Sequence, residues 1–449
     1  MNHKIASQLT KRVHIAPLVT FRILFGLMMA GSMVRFWAKG WIYDLYVAPK
    51  HFFTYYGFDW VKPLNELGMY AVFFLLFVSA LGIAFGAFYR WSSILFFTLF
   101  TYVELIDKST YLNHYYFISV VALLLVFLPA HKYFSVDVYR KPTIYQEKIP
   151  FWFIGAIQLQ LGIVYFYAGI AKLNYDWLVR AMPLKLWLPA HSSVPIVGGL
   201  FQKSWVAFGF SWFGAAYDLF IPFLLVIKRF RLFAYSMVIA FHVVTGWLFQ
   251  IGMFPYIMIL ATLIFFSEEF HIKLLNKVQS LFALPMFDVS LERKSSNPKY
   301  TAVFAGVLTV HFLFQLAFPF RYLAYEGNRF WHEQGYRFGW RVMLSEKAGT
   351  AFFTAVLPQS QQQMAINNSD YLTPNQEKMM STQPDMILQY AQIIEEDLSE
   401  QGYADVEVKV ESYATLNGSG SRPFIDPEVD LTQLTDSWKP KTWVLPFNR

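Results

Sequence analysis

Cysteine is absent from the 449 residues. Disulfides, thiolate nucleophiles and cysteine-based metal sites are therefore excluded. Charge is scarce as well. Asp, Glu, Lys and Arg make up 15% of the chain, against about 25% in a soluble domain. No H-x-x-x-H or H-E-x-x-H spacing occurs, no phosphate- or dinucleotide-binding glycine pattern, and no G-x-S-x-G. Zinc-hydrolase, P-loop, Rossmann and α/β-hydrolase chemistries have no motif to rest on, and no metal is expected. Internal repeats and low-complexity runs are also lacking.

Apolar and aromatic residues are abundant, at 56% and 20% of the chain. This composition predicts a multi-span α-helical membrane protein whose aromatics serve interfacial belts and a ring-lined pocket. Nine candidate spans lie near 17–38, 67–88, 91–106, 115–130, 151–171, 205–227, 231–249, 253–266 and 302–320. Several fall short of the roughly 20 residues a full crossing needs. The first, Pro17–Ala38, contains Arg22 and Arg35 and is read as a span rather than a cleavable leader. The net charge of +7 sits in the loops, which points to a lipid bilayer as partner and not to nucleic acid. With nine spans, one side collects 16 Lys and Arg and the other 8. The richer side should be cytoplasmic, which places everything after Phe320 outside. Residues 1–320 then form a transmembrane domain and 321–449 an α+β domain on the extracytoplasmic side. In the latter, Gly349–Leu357 and Val406–Tyr413 read as strands, Pro374–Gln401 as a helix, and Asn417–Gly420 as a turn.

Four clusters interrupt the apolar pattern on the predicted outer face. They are Asp107–Tyr115, Lys172 with Asp176, His242 leading to Phe249–Phe254, and Tyr336–Trp340. Ionisable groups inside membrane segments are costly and point to function. Each cluster also has a plainer reading. Lys172 can be an anchor whose ammonium reaches water. Asp107 and Lys108 can be a solvated pair, Asn113 a helix cap, and His242 a core histidine. Tyr336–Trp340 can be domain core, and Glu104 and Asp218 acidic partners for Arg22 or Arg35. Against the anchor reading, Lys172 follows Ala168, Gly169 and Ala171 and is surrounded by Tyr165, Phe166, Tyr167, Tyr175 and Trp177. Those rings are expected to keep it dry, so that the neutral amine can act as a base.

At these residues the chain resembles the vitamin K-dependent γ-glutamyl carboxylase family, in a bacterial form with an HTTM-like membrane domain. The matching motifs are Phe21-Arg22, Gly86–Arg90, Asp107-Lys108 with Asn113-His114, Tyr133–Asp137, Val164–Trp177, Ile251–Tyr256, Tyr336–Trp340, Phe424–Asp430 and Thr442–Val444, in that order. The resemblance implies oxidation of vitamin K hydroquinone by O₂ to the 2,3-epoxide. The strong base formed on the way then lets CO₂ add at the γ-carbon of a peptidyl glutamate. A menaquinol-type quinol also fits. By the same resemblance the catalytic residues are Lys172, which deprotonates the quinol, with Asn113, His114 and His242. Asp107, Tyr111, Tyr167, Asp176, Tyr336 and Trp340 are expected to bind substrates. The expected partners are the bilayer, the quinol and a glutamate-containing peptide, and the expected location is a bacterial inner membrane. The animal enzymes join their two parts by a disulfide, which cannot form here, and carry a Trp before Asn-His where this chain has Tyr111 and Leu112. Two other functions fit the same residues: a quinol epoxidase with a different acceptor, and a lipid- or quinone-binding scaffold without chemistry.

Overall fold

The computed structural model of the chain describes residues 3–249, 251–282, 298–357 and 362–448. Apolar helices dominate as far as residue 317. They are α1 (Ala16–Ala38), α2 (Glu66–Phe85), α3 (Tyr89–Ile106), α4 (Asn113–Phe127), α5 (Trp152–Lys172), the short α6 (Tyr175–Arg180), α7 (Ser204–Val226), α8 (Arg231–Leu248), α9 (Phe254–Thr262) and α10 (Pro298–Ala317). Every segment read as a span is helical. Among the described residues, six helices are long and apolar enough to cross a membrane: Ala16–Ala38, Glu66–Phe85, Trp152–Lys172, Ser204–Val226, Arg231–Leu248 and Val303–Ala324. The helices at Asn113–Phe127 and Phe254–Phe265 are apolar but shorter. The protein is an integral membrane protein.

The helix ends sort onto two faces. On one, Arg12–His14 pairs antiparallel with Lys148–Pro150, and the His14 amide donates to Glu268 at 2.6 Å. The Asp137 carboxylate accepts from the amides of Phe88 and Tyr89, both at 2.8 Å. It thereby satisfies donors that the start of α3 leaves unpaired. Arg22 is fully buried and donates to the carbonyls of Ala130 (2.8 Å) and Phe134 (2.7 Å). Neither Glu104 nor Asp218, the acidic partners expected for Arg22 or Arg35, meets it. Instead the loop after α4 supplies backbone acceptors, Glu104 accepts from Ser119 at 2.6 Å, and Asp218 lies with Lys172. α1 meets α2 closely because Gly26 lacks a side chain: a Cβ there would stand 2.5 Å from the Ala84 nitrogen.

The C-terminal region covers the other face. Four antiparallel strands, β1 (Lys347–Leu357), β2 (Gln362–Ile366), β3 (Glu407–Leu416) and β4 (Arg422–Pro423), run in the order β2-β1-β3-β4. The helix expected over 374–401 is two, α11 (Pro374–Met380) and α12 (Pro384–Glu400). Proline lacks the amide a continuous helix would need at Pro384. Met386, Ile387, Tyr390, Ile394 and Leu398 of α12 are buried in one cluster with Phe353, Val408 and Val410 of the sheet. That cluster also takes in Ala171, Trp177, Leu184 and Leu248, so the core of the cap is continuous with the ends of α5 and α8.

Candidate active site

The cavity against Lys172 is built by helical spacing. Val164, Tyr165, Ala168 and Lys172 of α5 line it, because residues four apart share a helix face. Gly214 and Asp218 of α7 line it by the same rule, as do His242 and Thr245 of α8. Phe254 and Met258 of α9, with Val342 and Met343 from the cap, complete the walls of a cavity of about 80 Å³. The lining is chiefly apolar and aromatic, as in small-molecule sites.

Lys172 is buried, and its Nζ lies 2.6 Å from Oδ2 of Asp218, also buried. The Trp177 ring lies beneath, its centroid 5.3 Å from Nζ. That ring is fixed by its Nε1 donating to the Ser211 carbonyl at 2.7 Å. The lysine is therefore dry, as the surrounding aromatics implied, but it is paired with a carboxylate and not isolated among rings. Tyr165 and Trp177 contribute to its surroundings, whereas Tyr175 is 56% exposed. Tyr167 faces elsewhere: its hydroxyl donates to the Leu316 carbonyl at 2.5 Å and its ring packs edge-on to Phe320. Two helical residues separate it from Tyr165, a rotation of roughly 200°, so the two tyrosines cannot share a cavity.

His242 is buried in the wall, with Nε2 3.1 Å from the Tyr165 hydroxyl. The Phe254 ring sits between two histidines, 5.9 Å from the ring of His242 and 5.9 Å from that of His114. His114 is thus one ring back from the cavity. Asn113 does not cap α4. It is the first residue of that helix, and its Nδ2 donates to the Arg341 carbonyl at 2.8 Å. Its Oδ1 accepts from the Tyr111 hydroxyl at 3.2 Å, and that hydroxyl in turn accepts from the Phe338 amide at 2.7 Å. Asn113 and Tyr111 therefore hold the segment 335–343.

This segment separates two cavities. Val342 and Met343 face the Lys172 cavity. Tyr336, Arg337 and Phe338 line a second one together with Lys108, Arg321 and Asp385. Phe338, Trp340 and Met343 all have φ between 53° and 58°. Left-handed backbone at non-glycine residues costs of order 1 kcal/mol each and persists where the surroundings enforce it. The enforcement here is visible, since Trp340 stacks on Tyr116 at 4.8 Å and Phe338 packs edge-on to Tyr111 at 5.0 Å. Burial pushes the Tyr336 phenol up to about 12, so it keeps its proton at neutral pH.

Other expected substrate residues tie the cap to the bundle. Asp107 is buried and accepts from Gln376 Nε2 and from the Ser109 amide, both at 2.8 Å. Lys108, expected in solvent beside it, is 1% exposed and lies 2.9 Å from Asp385 of α12. Asp176 is buried between Arg180 (3.3 Å) and Asn417 (3.1 Å). Both aspartates stand at helix ends that the cap covers, which the order of the chain could not reveal. Sequence reasoning undervalued Asp218 and Asp385. The available signal was an acid inside an apolar run, at Asp218, and a lone acid opening the apolar face of α12, at Asp385.

A family model described as the HTTM domain matches residues 10–270. A second, described as the vitamin K-dependent gamma-carboxylase lumenal domain, matches residues 300–449. No solved structure matches the chain. A helical membrane part and a strand-containing cap follow one another in the order of those two matches, and the chain belongs to the vitamin K-dependent γ-carboxylase family.

Proposed function

We propose that this protein oxidises a vitamin K-type hydroquinone with O₂ to its 2,3-epoxide and carboxylates a peptidyl glutamate with CO₂. The observation that supports the reading most is the pair of cavities on either side of residues 335–343. One is apolar with a buried Lys–Asp pair, which fits an aromatic ring bearing acidic hydroxyls. The other is lined by Lys108, Arg321, Arg337 and Lys441 together with Glu333, Asp385 and Asp436. Asp385 pairs with Lys108 and Arg337, and Asp436 with Lys441, which leaves Arg321, bonded to carbonyls, to meet an anionic side chain from a peptide. The quinol supplies the oxidisable ring. On this reading Lys172 removes a proton from its hydroxyl, and His242 with Tyr165 orients the ring. Asn113 with Tyr111 holds the partition across which the glutamyl γ-carbon meets the base, and His114 backs the quinol cavity through the Phe254 ring. Tyr336, protonated, would donate to the glutamyl carboxylate.

The assay is purified protein with reduced vitamin K and O₂, with and without labelled bicarbonate and a glutamyl peptide. Epoxide with fixed label is expected. Epoxide without label would leave a quinol epoxidase acting on another acceptor, and neither product would leave a binding scaffold.

We further propose that all nine apolar helices cross, with 1–320 as the membrane domain and 321–449 outside the cytoplasm, periplasmic in a bacterial inner membrane. The excess of Lys and Arg on the N-terminal side supports this orientation. Reporters fused at the C-terminus and in the loop near Arg140 should report opposite sides. Two cytoplasmic signals would reject it.

A further inference from the structure

Asp218 is the only carboxylate among the described residues lining the Lys172 cavity. It stands one helical turn beyond Gly214 on α7, whose backbone packs beside the lysine stem: a Cβ there would touch Lys172 Cε at an ordinary 4.0 Å. The other polar groups nearby are engaged differently. Tyr165 and His242 contact each other, and Asp176 on α6 is turned toward Arg180 and Asn417. The remaining contacts of Nζ are the Ala168 carbonyl at 3.5 Å and the Trp177 ring.

This geometry poses a chemical problem for a lysine base. Paired as ammonium and carboxylate, Lys172 has three N–H bonds and no lone pair, so it cannot take a proton unless it gives one away. Asp218 Oδ2, 2.6 Å from Nζ, is where that proton can go. We propose that Asp218 is the final acceptor of the quinol proton and that Lys172 relays it. This deepens the quinol reading of the cavity and rests on it.

The step balances without another reactant. The substrate O–H bond breaks and its electron pair stays on the substrate oxygen. Nζ gains that proton as it passes one of its own to Asp218, where a new O–H bond forms. The ammonium ends with three N–H bonds, as it began. Negative charge leaves Asp218 and appears on the substrate oxygen, and the ammonium is beside it in both states. The cavity gains no net charge, so the large cost of an uncompensated ion in a dry site is avoided. No neutral amine is required beforehand.

The test uses the full-length protein and a reduced short-chain naphthoquinone under argon, where turnover cannot occur. Binding is followed by quenching of Trp177 and Trp187, which line the cavity. Infrared difference spectra of wild-type protein carrying carbon-13-labelled aspartate should show a protonated-carboxyl stretch on binding, shifted by the label. Asp218→Glu should keep a shifted band, and Asp218→Asn should bind the quinol with no band. In air, Asp218→Asn should lose about 100-fold or more in epoxide formation, the scale of a proton-transfer group. A bound quinol without a labelled carboxyl band would overturn the role of Asp218 while leaving the quinol site standing. So would an Asp218→Asn protein turning over at the wild-type rate. Absence of both quenching and epoxide in wild-type protein would sink the quinol reading and this inference together.

Discussion

Lys172→Arg should purify folded and form no quinol epoxide, with a loss of about 10²–10⁴-fold, the range for removing a general base. The guanidinium can keep the contact with Asp218 and so keep the charge balance of the cavity. It gives up a proton to Asp218 far less readily than an ammonium does, so the relay stalls even though both groups begin and end protonated. Lys172→Ala answers less cleanly. Read as a membrane anchor, Lys172 would cost little stability to truncate, but the structure buries it against a buried carboxylate. Removing one partner leaves the other charge uncompensated, a loss of about 3–5 kcal/mol. The double change Lys172→Met with Asp218→Leu removes both charges and should recover much of that stability while still giving no epoxide. Epoxide assays beside thermal unfolding of the three variants separate base from scaffold. Near-normal epoxidation by a folded Lys172→Arg protein would remove Lys172 from the chemistry.

Asp385→Ala should undock the cap. Its carboxylate accepts from Arg337 at 2.7 Å and lies 2.9 Å from Lys108, which is 1% exposed. One substitution would strand the buried Lys108 and the half-buried Arg337, and the expected destabilisation is about 3–5 kcal/mol. Burial alone would push the Asp385 carboxyl up, but the Arg337 and Lys108 charges and their hydrogen bonds outweigh it and hold it well below the usual carboxylate range. The sign of the pH dependence follows. A carboxyl lowered by folding stabilises the folded state at every pH above its unfolded value, about 3.9. That contribution is lost as pH falls below that value toward the lower folded one. Between pH 5 and 8 the wild-type protein should therefore show no change in unfolding temperature from this group. Below about pH 4 it should lose stability that Asp385→Asn has already lost. Unfolding temperatures of the two proteins that fell in parallel below pH 4 would show that Asp385 is not the titrating support.

The nine helical segments were legible because burial in lipid and burial in protein select the same long apolar runs, whatever the neighbours. Lys172 and His242 were legible because a charge or imidazole near the end of such a run is rare. The residues around Lys172 were legible only in part. Tyr165 and Tyr167 look equivalent in the sequence, yet only Tyr165 lines the cavity, because two residues along a helix turn the side chain to another face. Residues 335–343 read as an aromatic stretch of the cap. Their role as a wall between two cavities depends on Asn113 and Tyr111, more than two hundred residues earlier.

By itself the sequence determined the class of the protein, the membrane helices, the strand-bearing cap and the motifs of the family, since these follow from composition, periodicity and local order. Only the tertiary structure decided what each buried charge faces. Asp218 meets Lys172 across 46 residues, Asp385 meets Lys108 across 277, and Asp107 meets Gln376 across 269. A charge can be buried only if a complementary group arrives in three dimensions, and linear spacing carries no record of which helix ends the cap will cover.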